Sequence, residues 1–312
     1  MTFKSVIKFA VFVLIVGVCV LILKVYTRVI DYLPKSYLDK QTFIYFIGSS
    51  RVQKSIDPNI IGGRYNNYLV SNLGMQGGNF LSSCVMADFV LKQNYGHNIL
   101  FVELSLNMDE LPKGVFKYSL PSKPSPSSSI LSLTGNQSIP EQSMLLSNVI
   151  NRQLFYSLSI GDDVREIIGL KSNGGDQLIG YHPYEKNDWH DTNSFLSWND
   201  IKTEGVNSID ISQYMYKINY LKMLAEDNNA RIVFFLPVTY ISEFEKSIVI
   251  QIYRTLPATM KLEYSESFLK KITRAEYLGD RNHLNIHGAK SYSKLLIPQI
   301  EIVLQKNSET KP

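Results

Sequence analysis

The chain has 312 residues, 45% hydrophobic and 12% aromatic, enough to bury one sizeable core, alone or with an insertion. Its formal charge is +4, and Lys4, Lys8 and Lys24, in an N-terminal stretch without acids, account for most of it. The near balance of the remainder excludes the basic face or stripe of a nucleic-acid binder, so no nucleic-acid partner is expected.

From Phe9 to Leu23 no side chain is charged or strongly polar, and Lys8 and Lys24 flank the run. Extended to residues 6–26 it reaches about 20 residues, enough at 1.5 Å per residue to cross a hydrocarbon core of roughly 30 Å. A cleaved signal peptide needs a small-residue site after the run, which continues instead through Leu21-Ile22-Leu23-Lys24-Val25-Tyr26. Val18, directly before Cys19, is too bulky for a lipoprotein signal. Residues 1–26 are therefore expected to be an uncleaved single-pass membrane anchor. Lys4 and Lys8 compete with Lys24, Arg28 and Lys35 over orientation, and the expectation is a short tail inside and the C-terminal domain outside the cytoplasm. Cys84 is then the only cysteine outside the anchor, so no internal disulfide is expected there.

After a linker at 27–41 with Pro34, the apolar run Phe43-Ile44-Tyr45-Phe46-Ile47 reads as a buried parallel strand ending at Gly48-Ser49-Ser50-Arg51. A second strand is expected at Tyr68-Leu69-Val70, leading into Asn72-Leu73-Gly74. Leu81, Cys84, Val85 and Phe89 then share a helical face, and a third strand runs from Ile99 to Leu104. This alternation predicts an α/β domain over 42–306, a parallel sheet with helices on both sides. Between about 112 and 210 the rhythm breaks. Ser122 to Ser129 reads as a loop, and Gly180 to Trp198 is rich in His, Asn, Asp and aromatics, so an insertion over one end of the sheet is expected. The pattern resumes with an amphipathic helix from Ile211 to Ala225 and a strand from Arg231 to Leu236. A last helix starts near Gly288, with Pro298 kinking or ending its regular part, and 307–312 reads as a polar tail.

In open parallel sheets ligands gather beyond the carboxyl ends of the strands, where Ser50 is expected. Gly-Ser-Ser is also a common turn composition and says little alone. The stretch Gly279-Asp280-Arg281-Asn282-His283-Leu284-Asn285 adds a carboxylate three residues before a histidine, just ahead of a helix. A serine hydroxyl needs a base, and that base needs a partner that holds its tautomer, so Ser50, His283 and Asp280 form a candidate triad. The competing reading is that Asp280 and Asn285 cap a turn and a helix while His283 packs nearby. His287 lacks an acid three residues upstream and ranks second as base.

Phe46-Ile47-Gly48-Ser49-Ser50-Arg51 resembles the first block of the SGNH (GDSL-like) hydrolases, with Ser49 where that family carries aspartate, and Asp280-Arg281-Asn282-His283 resembles its last block. Asn72-Leu73-Gly74 resembles the block whose glycine N–H helps form the oxyanion hole, and Ser105-Leu106-Asn107-Met108 matches the third block loosely. The resemblance implies a flavodoxin-like three-layer sandwich, a catalytic triad of Ser50, Asp280 and His283, and an oxyanion hole from Ser50, Gly74 and Asn107. Arg51 is a candidate either for an anionic substrate group or for a scaffold ion pair. His182, Asp188, His190 and Asp191 fit no zinc spacing, so neither metal nor other cofactor is expected. The aromatics from Tyr181 to Trp198 suit either a carbohydrate groove or ordinary packing.

Membrane-tethered proteins of this kind are similar to those that add or remove acyl groups on polysaccharides outside the bacterial cytoplasm, such as alginate O-acetylation and teichoic-acid D-alanyl transfer proteins. The expectation is therefore an O-acyltransferase or O-acyl esterase with an acylated glycan or polysaccharide as substrate and a membrane-bound O-acyltransferase as partner. The rival expectation is a catalytically silent, membrane-anchored protein that binds a glycan or a partner.

Overall fold

The computed structural model describes residues 8, 11–12, 14–19, 42–65, 67–92, 97–118, 126–158, 180–187, 189–202 and 209–308. The linker expected at 27–41 and most of the anchor expected at 6–26 lie outside these residues. The described residues between Lys8 and Cys19 are helical, with Val11, Phe12, Leu14, Ile15, Val16 and Val18 exposed. Among the described residues no helix is long and apolar enough to cross a membrane.

Four strands, β1 (Thr42–Gly48), β2 (Tyr68–Gly74), β3 (Asn98–Glu103) and β4 (Arg231–Phe235), form one parallel sheet in the order β2-β1-β3-β4. The fold is α/β. β1 and β3 lie at the centre and are buried almost end to end, which explains their continuous apolar sequences. β2 is an edge strand whose first residues are only partly covered. The chain passes from β1 to β2 in one direction and from β2 over β1 to β3 in the other. With right-handed crossovers, the helices Ser50–Ser55 and Phe80–Lys92 fall on opposite faces, and the reversal opens a crevice at the carboxyl ends of β1 and β3.

The insertion differs from expectation. Pro126–Leu133 and Ile139–Leu158 are helices, and Ile130, Leu133, Leu145 and Val149 join the core. The Ser/Pro composition read as a loop is helical from Pro126, because these residues cover the helix Phe80–Lys92 from outside. That helix is consequently buried all round, including Asp88, which is held by Lys92 at 2.8 Å, Tyr220 at 2.7 Å and the Ser129 hydroxyl. The final helix does not end at Pro298. It continues from Ile286 to Ser308 past the proline, with Leu296, Ile300 and Val303 buried on both sides of it. Continued packing offsets a proline penalty of about 3 kcal/mol, and the tail expected at 307–312 loses its first residues to the helix.

Candidate active site

Ser50 is the first residue of a short helix that leaves the end of β1. Gly48 makes the turn possible, since a Cβ there would lie 2.4 Å from a Glu103 carboxylate oxygen and 2.4 Å from Val52 Cγ2. Ser49 is the N-cap, and three contacts fix it. Its N–H donates to Glu103 Oε2 at 2.6 Å, its hydroxyl donates to Glu103 Oε1 at 3.1 Å, and its Oγ accepts the Arg51 N–H at 3.2 Å. The two adjacent serines are thereby separated by role. Ser49 is buried in the scaffold, while Ser50 Oγ lies 2.7 Å from His283 Nε2.

His283 belongs to a loop that holds itself together. Asp280 Oδ1 accepts the backbone N–H groups of Asn282 at 3.0 Å and His283 at 2.9 Å, and the Gly279 N–H donates to His283 O at 2.9 Å. The imidazole Nδ1 lies 2.9 and 2.8 Å from the two Asp280 oxygens. A carboxylate only accepts, so Nδ1 carries the proton and Nε2 is left to accept from Ser50. Burial pushes the His283 pKa down from its ordinary 6.5; Asp280 opposes that shift, and Lys54 and Arg51 reinforce it. Burial works to raise the Asp280 pKa, but hydrogen bonds from the His283 ring and the Asn282 and His283 amides outweigh it and hold the carboxyl below its ordinary range. The site therefore holds a neutral base beside a permanent anion. The capping reading is satisfied as well: Asn285 Oδ1 accepts the N–H groups of His287 and Gly288 at 3.0 and 2.9 Å and starts the last helix. His287 itself is exposed and takes no part.

The expected oxyanion donors lie in different settings. The Gly74 N–H is engaged, donating to Asn72 Oδ1 at 2.8 Å, while Asn72 Nδ2 donates to Val52 O at 2.8 Å and Ile56 O at 2.6 Å. Gly74 lacks a side chain for a packing reason, since a Cβ there would lie 2.1 Å from Gln53 N. The Asn-Leu-Gly block thus docks the helix Ser50–Ser55 against β2. Asn107 makes no hydrogen bond to the triad. Its backbone N–H donates to Tyr214 Oη at 2.7 Å, and its Oδ1 is buried without a partner. Among the described residues neither the Ser50 N–H nor Asn107 Nδ2, the side-chain donor expected there, has an acceptor.

Arg51 is a scaffold residue and not a free anion receptor. Its Nε donates to Glu103 at 2.8 Å, Nη2 to Glu245 at 2.7 Å and Nη1 to Thr239 O at 3.1 Å, all in the interior. Burial alone would lower its pKa, but Glu103 and Glu245 reverse the shift and lock the charge. Thr239 also donates its hydroxyl to Asn282 O at 2.6 Å, which ties this cluster to the histidine loop.

An irregular segment at 180–187, with one isolated bridge from Tyr184 to Asn285, crosses the same edge. The N–H groups of Gly180 and His182 donate to Gly74 O and Gln53 O at 3.2 and 2.9 Å, and Tyr184 O accepts from Ile286 at 2.9 Å. The Tyr184 ring stacks on His283, with centroids 6.0 Å apart and planes at 24°. Gly279 makes room for it, because a Cβ there would lie 2.2 Å from Tyr184 Cδ1. Trp189 and Trp198 instead pack against the core, as their packing reading expected. No group of three or more metal-ligating side chains gathers among the described residues, and Asp188 lies outside them.

Sequence reasoning missed Glu103, Glu245, Thr239 and Lys54, and did not single out Tyr184 among the aromatics from Tyr181 to Trp198. Glu103 left a trace as an acid closing an apolar strand. No protein-family model, no curated protein and no solved structure matches the chain.

Proposed function

We propose that the chain is a serine-dependent acyl-transfer enzyme of the SGNH type, with a flavodoxin-like three-layer fold. In this reading it works outside the cytoplasm, tethered through residues 6–26, as an O-acyltransferase or O-acyl esterase on a cell-surface polysaccharide. The observation that carries it is the hydrogen-bonded chain from Ser50 Oγ to His283 Nε2 at 2.7 Å and from His283 Nδ1 to Asp280 at 2.8 Å.

The chemistry follows from those distances. Ser50 Oγ attacks the acyl carbonyl while its proton passes to His283 Nε2, and Asp280 stabilises the imidazolium that forms. The same proton then goes to the departing oxygen of the donor, leaving an acyl ester on Ser50. An incoming hydroxyl, from a sugar or from water, gives its proton to Nε2, attacks the ester and restores the serine. A sugar acceptor makes the enzyme a transferase and water makes it an esterase. The short motifs support the transferase assignment through their resemblance to polysaccharide-modifying proteins that work beside a membrane-bound O-acyltransferase.

One observation favours the second reading, an anchored glycan- or partner-binding protein without turnover: the Gly74 N–H, a candidate oxyanion donor, is already bonded to Asn72. A fluorophosphonate probe separates the two. Labelling that is lost in Ser50→Ala and kept in Ser49→Ala is the expected result, whereas no labelling of the parent chain leaves the binding reading.

A further inference from the structure

Lys54 follows Ser50 by four residues on the helix Ser50–Ser55, and such residues share a helix face. Its ammonium lies 4.6 Å from the centroid of the Tyr184 ring, the ring that stacks on His283. Lys54 is half-buried, and among the described residues it has no ion-pair or hydrogen-bond partner. Two bland roles are filled by other groups. Asp280, the nearest carboxylate felt by Lys54, is already engaged by the His283 ring and two backbone amides. The interior carboxylates Glu103 and Glu245 are matched to Arg51. A half-buried ammonium costs desolvation, and the face of one tyrosine offsets only part of that. Among the described residues the charge at Lys54, one helix turn from Ser50, is left without an ion pair.

We propose that Lys54, with Tyr184 as its wall, is the anion-recognition element of the active site and binds a carboxylate or phosphate carried by the glycan. The inference rests on Ser50 as nucleophile and deepens that reading: the polymer acted on is acidic. A cation one helix turn from the reacting serine selects the repeating unit being modified, and a neutral glycan lacks the group that completes it.

Protection of the full chain from fluorophosphonate labelling tests this without requiring turnover. The probes are polygalacturonate for a carboxylate, inorganic polyphosphate for a phosphate and dextran as the neutral control. One of the two anionic polymers is expected to slow labelling of Ser50 at concentrations where dextran does not. Lys54→Met keeps the aliphatic stem and should raise the half-protecting concentration of that polymer at least about tenfold, the loss expected for one charged contact, while Lys54→Arg keeps it low. Polygalacturonate alone protecting identifies a uronate, and polyphosphate alone identifies a phosphodiester or phosphomonoester. Equal protection of parent and Lys54→Met, or protection by neither anionic polymer, overturns the assignment. Absence of labelling in the parent overturns the serine-enzyme reading, and this one with it.

Discussion

The two halves of the candidate triad are built by opposite means. The histidine loop is held by bonds within a few residues of chain, from Asp280 to Asn282 and His283 and from Gly279 back to His283. The nucleophile turn is held by partners far away in sequence: Glu103 from β3, Glu245 from the helix Glu243–Thr255, and Asn72 from β2. A local loop can place a base with few outside contacts. A nucleophile at a strand end takes its position from the sheet, so its supports come from every strand that meets there. Damage to the first region should therefore reach activity alone, and damage to the second should reach stability as well.

The largest expected effect is on rate. Ser50→Ala or His283→Ala should lower acyl-ester turnover by roughly 10³-fold or more, and the double variant should add little, because the residues act as a unit. Steady-state kinetics on an acyl ester, with unfolding midpoints near that of the parent, check both parts. A large shift in midpoint for His283→Ala would break the contrast.

Arg51→Met should show the reverse. It leaves Glu103 and Glu245 as two buried carboxylates without their cation, and breaking such a network costs about 3–5 kcal/mol. Urea denaturation reads this directly, and a midpoint within error of the parent would mean the cluster does not hold the turn.

The acid limit of activity comes next. His283 must be neutral to accept the serine proton, and burial lowers its pKa, so kcat/KM should fall with decreasing pH only below 6.5. A limb at or above that value would place the imidazole in a wetter setting than the structure gives it. Smallest of all, Asn107→Ala should leave turnover within about threefold, against the roughly 10²- to 10³-fold loss typical of a removed oxyanion donor. The larger loss would show that the Asn107 side chain reaches the oxyanion during reaction.

The same contrast explains what was legible in the sequence. The strands β1, β3 and β4 are apolar runs because both their faces are covered, and that pattern survives in one dimension. Asp280 and His283 were legible because their partnership spans three residues. Gly74 was assigned to the oxyanion hole, and Arg51 was left between an anionic substrate group and a scaffold ion pair, because their settings depend on Gln53 N and on Glu245, which neighbouring residues do not reveal. The insertion helices were missed for a similar reason. Their Ser-rich surface resembles a loop, and only Ile130, Leu133, Leu145 and Val149 meeting the helix Phe80–Lys92 makes them part of the core.

The pairing of Ser49 with Glu103 carries a consequence for how this chain can vary. Ser49 stands where the family it resembles has aspartate, and it uses both its N–H and its hydroxyl on the Glu103 carboxylate. An aspartate at 49 would set a second carboxylate within about 3 Å of the first, where two like charges cannot both ionise without large cost. The interior therefore admits one acid at this junction, supplied by the first strand's turn or by the third strand's end. Positions 49 and 103 are thus coupled letters of the sequence: a change that brings aspartate to one is tolerated only alongside a change that removes glutamate from the other.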